Sequence, residues 1–171
     1  MKHLLITLLA VSLVFFALSC SKDKDKNPTG PTEQPDLIGT WLSTGANVAP
    51  LLVQLMAIDS LWAEFKTDNT YLVKAKSTTG TVTQFTGTYT HEKSTVGTIY
   101  KIKLNQTTPT VLTSEGIYQI DKTKTPNEMM YEVVQTEPNI GATPPTPEGG
   151  FGSTNGGALG TWNVQKYIRL K

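Results

Sequence analysis

From Leu37 onward, apolar and polar residues alternate with a period of two, the pattern of strands buried on one face. Tyr100, Ile102 and Leu104 face one way, with Lys101 and Lys103 opposite. Tyr71, Val73 and Ala75 alternate with Leu72, Lys74 and Lys76, and Phe85, Gly87 and Tyr89 alternate with threonines. Leu112, Gly116, Tyr118 and Ile120 oppose Thr113, Glu115, Gln119 and Asp121, while Met129, Tyr131 and Val133 oppose Glu132. Stretches 38–43, 61–66 and 161–170 bring the predicted strands to eight. Turn residues separate several of them: Thr67-Asp68-Asn69, Thr78-Thr79-Gly80 and Pro126-Asn127. Sequential short strands of this kind predict an all-β fold, an eight-stranded up-and-down antiparallel barrel, because closure removes exposed sheet edges.

One segment departs from that period. Val48, Leu51, Leu52, Leu55 and Met56 share a single helical face, which predicts one short helix over 48–58, after the first strand. Asn47, Ser43 or Thr44 offers a cap, and Pro50 suits a first turn. The helix either plugs one end of the sheet or acts as a lid over a cavity.

The inner face is rich in aromatic residues: Phe65, Tyr71, Phe85, Tyr89, Tyr100, Tyr118 and Tyr131. Buried phenols need hydrogen-bond partners, so these residues are either a core reaching the barrel mouth or the lining of a ligand pocket. An eight-stranded barrel is wide enough for either outcome. The seven are therefore the candidate ligand-binding residues.

The N-terminus carries a different message. Lys2 and His3 precede an apolar run from Leu4 to Leu18, and Ala17-Leu18-Ser19-Cys20 closes it with small residues. That order is a secretory signal over 1–19, too short to span a bilayer, which takes about 20 apolar residues. Cys20 is the single cysteine of the chain and has no disulfide partner. Its position resembles the lipobox of bacterial lipoproteins, whose cysteine becomes the first mature residue and is acylated with chains such as palmitate. The resemblance implies an N-terminal lipid anchor and a place in the cell envelope. Ser21 is similar to the residue that sends such proteins to the outer membrane, on either its periplasmic or its surface side. Residues 21–36 are polar, include three prolines and have nothing to bury, which predicts a tether between lipid and domain. The domain itself is 37–171.

Charge removes further classes. Without Lys2, the remaining basic side chains equal the 14 acidic ones, and no basic stripe points to nucleic acid. Catalytic chemistry is scarce: His91 is the one histidine beyond the signal, and beside Glu92 and Lys93 it reads as an exposed turn residue. No metal-ligand spacing, phosphate loop or dinucleotide fingerprint occurs, so no enzyme, metal or cofactor is expected.

Gly39-Thr40-Trp41 opens the first strand, and the single arginine, Arg169, lies on the last. This pairing is similar to the G-x-W signature of lipocalins and related calycin barrels, and Gly87-Thr88-Tyr89 and Gly116-Ile117-Tyr118 resemble pieces of bacterial lipocalin-like domains. The resemblance implies a lipocalin-like barrel in which Gly39 allows close backbone approach, Trp41 plugs one end and Arg169 packs across the indole. Two features depart from the pattern. The loop Lys122 to Asn127 lacks the family's T-D-Y-type motif, and Gly160-Thr161-Trp162 repeats the signature, so Trp162 competes with Trp41 for the closing role.

Segment 136–160 holds four prolines and seven glycines between two strands, with Phe151 isolated among the glycines. Such a length reads as disorder or as a loop that contacts a partner or ligand. The expected function is that of a lipid-anchored envelope protein holding a small apolar or amphipathic ligand. The alternative is a non-enzymatic structural or protein-interaction module whose barrel is filled.

Overall fold

The computed structural model describes residues 36–171. The expected signal peptide, Cys20 and the expected tether as far as residue 35 lie outside the described residues. Eight strands follow one another around a closed antiparallel barrel, β1 to β8 in chain order. They are β1 Gly39–Thr44, β2 Ile58–Phe65, β3 Thr70–Ser77, β4 Val82–Lys93, β5 Tyr100–Thr108, β6 Leu112–Asp121, β7 Glu128–Glu137 and β8 Gln165–Arg169. Each sequential pair is antiparallel, and β8 returns to β1 through Trp41 opposite Arg169 and Leu42 opposite Ile168. Backbone bonds from Thr40 N to Lys171 O (3.0 Å) and from Leu170 N to Thr40 O (2.7 Å) extend this seam.

The period-two reading holds because one face of every strand meets the barrel axis. Trp41, Ala63, Phe65, Tyr71, Ala75, Tyr89, Ile102, Leu104, Tyr118, Met129, Tyr131 and Tyr167 belong to one buried cluster. Glycine decides the geometry where neighbouring backbones crowd a Cβ position. A Cβ on Gly116 would stand 1.9 Å from the backbone oxygen of Glu132, and at Gly39, with φ at +135°, it would stand 2.3 Å from that of Lys171. Neither position accommodates a side chain without moving backbone.

A single α-helix, α1 Pro50–Met56, lies in the β1–β2 connection after a 3-10 turn at Gly45–Asn47. Pro50 takes the first turn as expected, but Ala49 is the N-cap and no side chain caps it. The helix is shorter than its apolar pattern, because Ala57 turns into the left-handed conformation and starts the chain toward β2. Its predicted single buried face is therefore only partly buried: Val48 is sealed and Leu52 packs on the core. Leu55 and Met56 are exposed.

Two further expectations are corrected. Gly160-Thr161-Trp162 does not open the last strand: Gly160–Asn163 is a 3-10 turn, Gly160 has φ +50°, and Trp162 is 49% exposed. Segment 136–160 is neither a free nor a structureless loop. Its first residues complete β7, and the rest folds onto the barrel's outer wall. Glu132, fully buried on that wall, accepts hydrogen bonds from Gly152 N (2.6 Å), Thr154 N (3.2 Å) and Thr154 Oγ1 (2.5 Å). Pro145 and Pro147 are buried as well, and Asn155 ties back to Thr143 through two bonds of 3.0 and 2.7 Å.

Candidate functional site

The barrel has an end plugged by Trp41 and an end covered by α1. The first is called the packed end, although Tyr100, Tyr118, Met129 and Tyr167 also border a hollow of about 840 Å³ there. Trp41 fills the packed end, fully buried, and its indole N–H donates to Leu37 O at 2.9 Å. The guanidinium carbon of Arg169 lies 5.2 Å from the centre of the Trp41 rings. Its two terminal nitrogens donate to Asp36 O (2.7 Å) and Ile38 O (2.6 Å), which stitches the last strand to the chain entering the first. Exposed Trp162, in contrast, lies on the turn next to α1, away from Arg169.

Aromatic rings complete this end. Tyr89 meets Phe65 edge-on at 5.2 Å and donates its hydroxyl to Lys66 O at 2.9 Å. His91, Tyr100 and Tyr118 stack with ring centres 5.1 to 6.1 Å apart. His91 Nδ1 and the Tyr118 hydroxyl are 2.5 Å apart. His91 is thus not an exposed turn residue: it sits half-buried in β4, one period inward from Tyr89. Burial lowers its pKa, so the ring is held toward its neutral form. Its partner is a phenol and not a carboxylate, which gives it no Ser-His-acid geometry.

Above these rings lies a cavity of about 280 Å³. Phe65, Tyr71, Phe85, Leu104, Tyr131 and Val133 form much of its wall, and Ala49, Leu52 and Met56 cover its mouth. Strand register orders it. Tyr71 and Tyr167 lie toward Trp41, Ile58, Gln106 and Ser114 lie at the mouth, and Tyr131 stands opposite Gln165 between them. Of the seven aromatic residues expected to bind a ligand, Phe65, Tyr71, Phe85 and Tyr131 line this space. Tyr89, Tyr100 and Tyr118 belong to the aromatic stack at the packed end.

No lining residue is charged. Burial pushes the Tyr71 hydroxyl up to about 12 and that of Tyr167 higher. Tyr131 rises far above the ordinary phenol value, chiefly through burial, with the Tyr167, Tyr71 and Tyr118 phenols adding to it. All stay protonated donors at neutral pH.

Sequence reasoning missed Gln165. Its Oε1 accepts from Ala49 N at 2.9 Å, and its Nε2 donates to Asn47 O at 3.2 Å and to the buried Ser43 hydroxyl. One side chain thereby pins the segment that leads into α1 over the mouth. The available sign was its inward position in the alternation Gln165, Tyr167, Arg169. Glu132 carried no comparable sign, since its partners arrive from a glycine-rich stretch twenty residues later.

Among the described residues, no cluster of three or more His, Cys, Asp or Glu side chains has the arrangement of a metal site. None of their helices is long and apolar enough to cross a membrane. No family model matches the chain, and neither the curated proteins nor the solved structures compared with it contain a match.

Proposed function

We propose that this chain is a lipid-anchored protein of the bacterial outer membrane that carries one small apolar or amphipathic molecule inside its barrel, by binding and without catalysis. The observation that carries the reading is the uncharged cavity of about 280 Å³, floored by aromatic rings and covered by α1. It stands at the lower edge of the roughly 300–1,000 Å³ common for small-molecule sites. A closed barrel with one plugged end and one helix-covered end suits uptake and release through the mouth. The Trp41–Arg169 stack supports the lipocalin-like reading, since it places the resembling residues in contact.

The anchor rests on Cys20 and the apolar run before it. Asp36, where the tether joins the domain, is held by Arg169 at the packed end, opposite the mouth. One acyl chain gives only marginal membrane binding, so stable attachment requires more than one.

A second reading has its own observation. Val53, Leu55 and Met56 on α1 and Trp162 on the neighbouring turn are exposed apolar side chains beside the mouth, a surface suited to a protein partner. Mass spectrometry of small molecules released from the natively purified protein separates the two. A stoichiometric apolar compound is expected. Protein partners captured with an empty barrel would favour the second reading.

A further inference from the structure

Hydroxyl partners are distributed unevenly among the buried tyrosines. Tyr89 and Tyr118, at the packed end, bond to Lys66 O and His91. Tyr71 and Tyr131, 5% and 8% exposed, line the cavity, and neither hydroxyl has a hydrogen-bond partner among the described residues. Among the described residues, no side-chain polar atom sealed from solvent-sized space lacks a partner. These two hydroxyls therefore open onto space, and the cavity is the space they line.

Tyr167, 4% exposed, crosses Tyr131 edge-to-face at 6.0 Å and adds a third phenol at the same level. Of the other polar groups of the lining, the three amide side chains are already engaged, which leaves the hydroxyls of Tyr167 and Ser114. Gln106 donates to Thr110 O, Asn163 to Val133 O, and Gln165 is committed to the segment before α1.

Donors without partners deep in an apolar space favour a ligand that brings an acceptor to them. No counter-charge lines the cavity, so a carboxylate or ammonium would lose its hydration without compensation. The space is small: at about 30 Å³ per water-sized group it holds roughly nine such groups.

We infer that the cavity selects an uncharged molecule with a carbonyl or hydroxyl oxygen at one end, seated head-down on Tyr71 and Tyr131 with its apolar body toward Leu52 and Met56. This rests on the proposed binding function and specifies its ligand class. Specificity then has two parts. The walls and the lid accept apolar bodies of suitable volume, and the phenols at the floor discriminate by head group.

The test uses three probes of matched size, acetophenone, isopropylbenzene and benzoate, titrated by calorimetry and ligand-observed NMR at pH 8. The proteins are the native chain, Tyr131→Phe and the Tyr71→Phe/Tyr131→Phe double variant. Tyr100→Phe is the control, since Tyr100 lies outside the cavity. Acetophenone should bind saturably to the native chain and weaken about tenfold in the double variant. Isopropylbenzene should bind both with unchanged or tighter affinity, and benzoate should not saturate either. Because an unpartnered hydroxyl contributes nothing to folding, Tyr131→Phe should melt no lower than the native chain. Hydrocarbon binding with equal losses for both neutral probes, or benzoate binding as tight as acetophenone, would overturn the head-group inference while leaving the cavity reading intact. Failure of all three probes to bind would overturn both.

Discussion

Arg169 lies over the indole of Trp41, its guanidinium carbon 5.2 Å from the ring centre, while the two residues also face each other across the β1–β8 seam. One side chain thus serves three functions: it stacks on the plug, satisfies two carbonyls of the entering chain and helps close the barrel. Trp41→Ala should cost about 3–5 kcal/mol, as large-to-small core changes do. Arg169→Ala should cost less, and a double-mutant cycle in urea should give a coupling of about 0.5–2 kcal/mol. Strict additivity would show that the stack contributes nothing to closure.

Glu132 supports a different prediction. Its carboxylate satisfies the Gly152 and Thr154 amides and the Thr154 hydroxyl against the outer wall. Glu132→Ala leaves these donors buried without an acceptor, at about 1–3 kcal/mol for each group that water cannot reach. Limited proteolysis should then cut between residues 138 and 160 faster than in the native chain, before the strands yield. Unchanged cleavage would mean that the segment is held by its buried prolines and not by the carboxylate.

The buried phenols and His91 set opposite limits on pH. Folding raises the pKa of Tyr71, Tyr118, Tyr131 and Tyr167 above the ordinary value of 10. Above pH 10 the unfolded chain releases these protons first, so stability falls as pH rises further. For each fully buried phenol the slope approaches about 1.4 kcal/mol per pH unit. His91 works in the other direction. Its folded pKa lies below 6.5, the unfolded chain takes up the proton first, and stability falls as pH drops through 6.5 toward the folded value. Urea midpoints should therefore be highest between about pH 7 and 10, and His91→Phe should flatten the acid side. A stability that rises above pH 10 would contradict the burial of these rings.

Much of this architecture was legible because local periodicity reports which face meets the core. The strands followed from alternation, and the helix from apolar spacing with Pro50 at its start. Where local pattern misled, a longer-range cause was at work. At His91, the inward step from Tyr89 continued, but the charged neighbours Glu92 and Lys93 suggested a strand end. At Trp162, Gly-Thr-Trp repeated the opening signature, yet positive φ at Gly160 made a turn in place of a strand. The Glu132 clasp was invisible for a plainer reason: a surface-patterned glutamate becomes buried only when a stretch far along the chain folds over it. The cavity was legible only as an alternative, since period two shows which side chains point inward and not whether they fill the space.

The proposed lipid anchor has its own genetic test. Cys20→Ser removes the thiol that acylation requires, so the variant should leave the membrane fraction or retain its signal segment. A processed Cys20→Ser protein that still sediments with membranes would refute anchoring through that residue.

The central claim is that the barrel interior is a ligand site, and binding of an apolar fluorescent dye tests it most directly. Ala75 and Ser114 line the cavity with small side chains, so Ala75→Phe and Ser114→Phe each fill part of its 280 Å³. Overpacking costs about 1–3 kcal/mol, and circular dichroism with a thermal midpoint establishes that each variant remains folded. The native chain should bind one dye saturably, and both folded variants should lose at least about tenfold in affinity, equivalent to 1.4 kcal/mol. Dye binding that is unaffected in both variants would place the site outside the barrel and contradict the account.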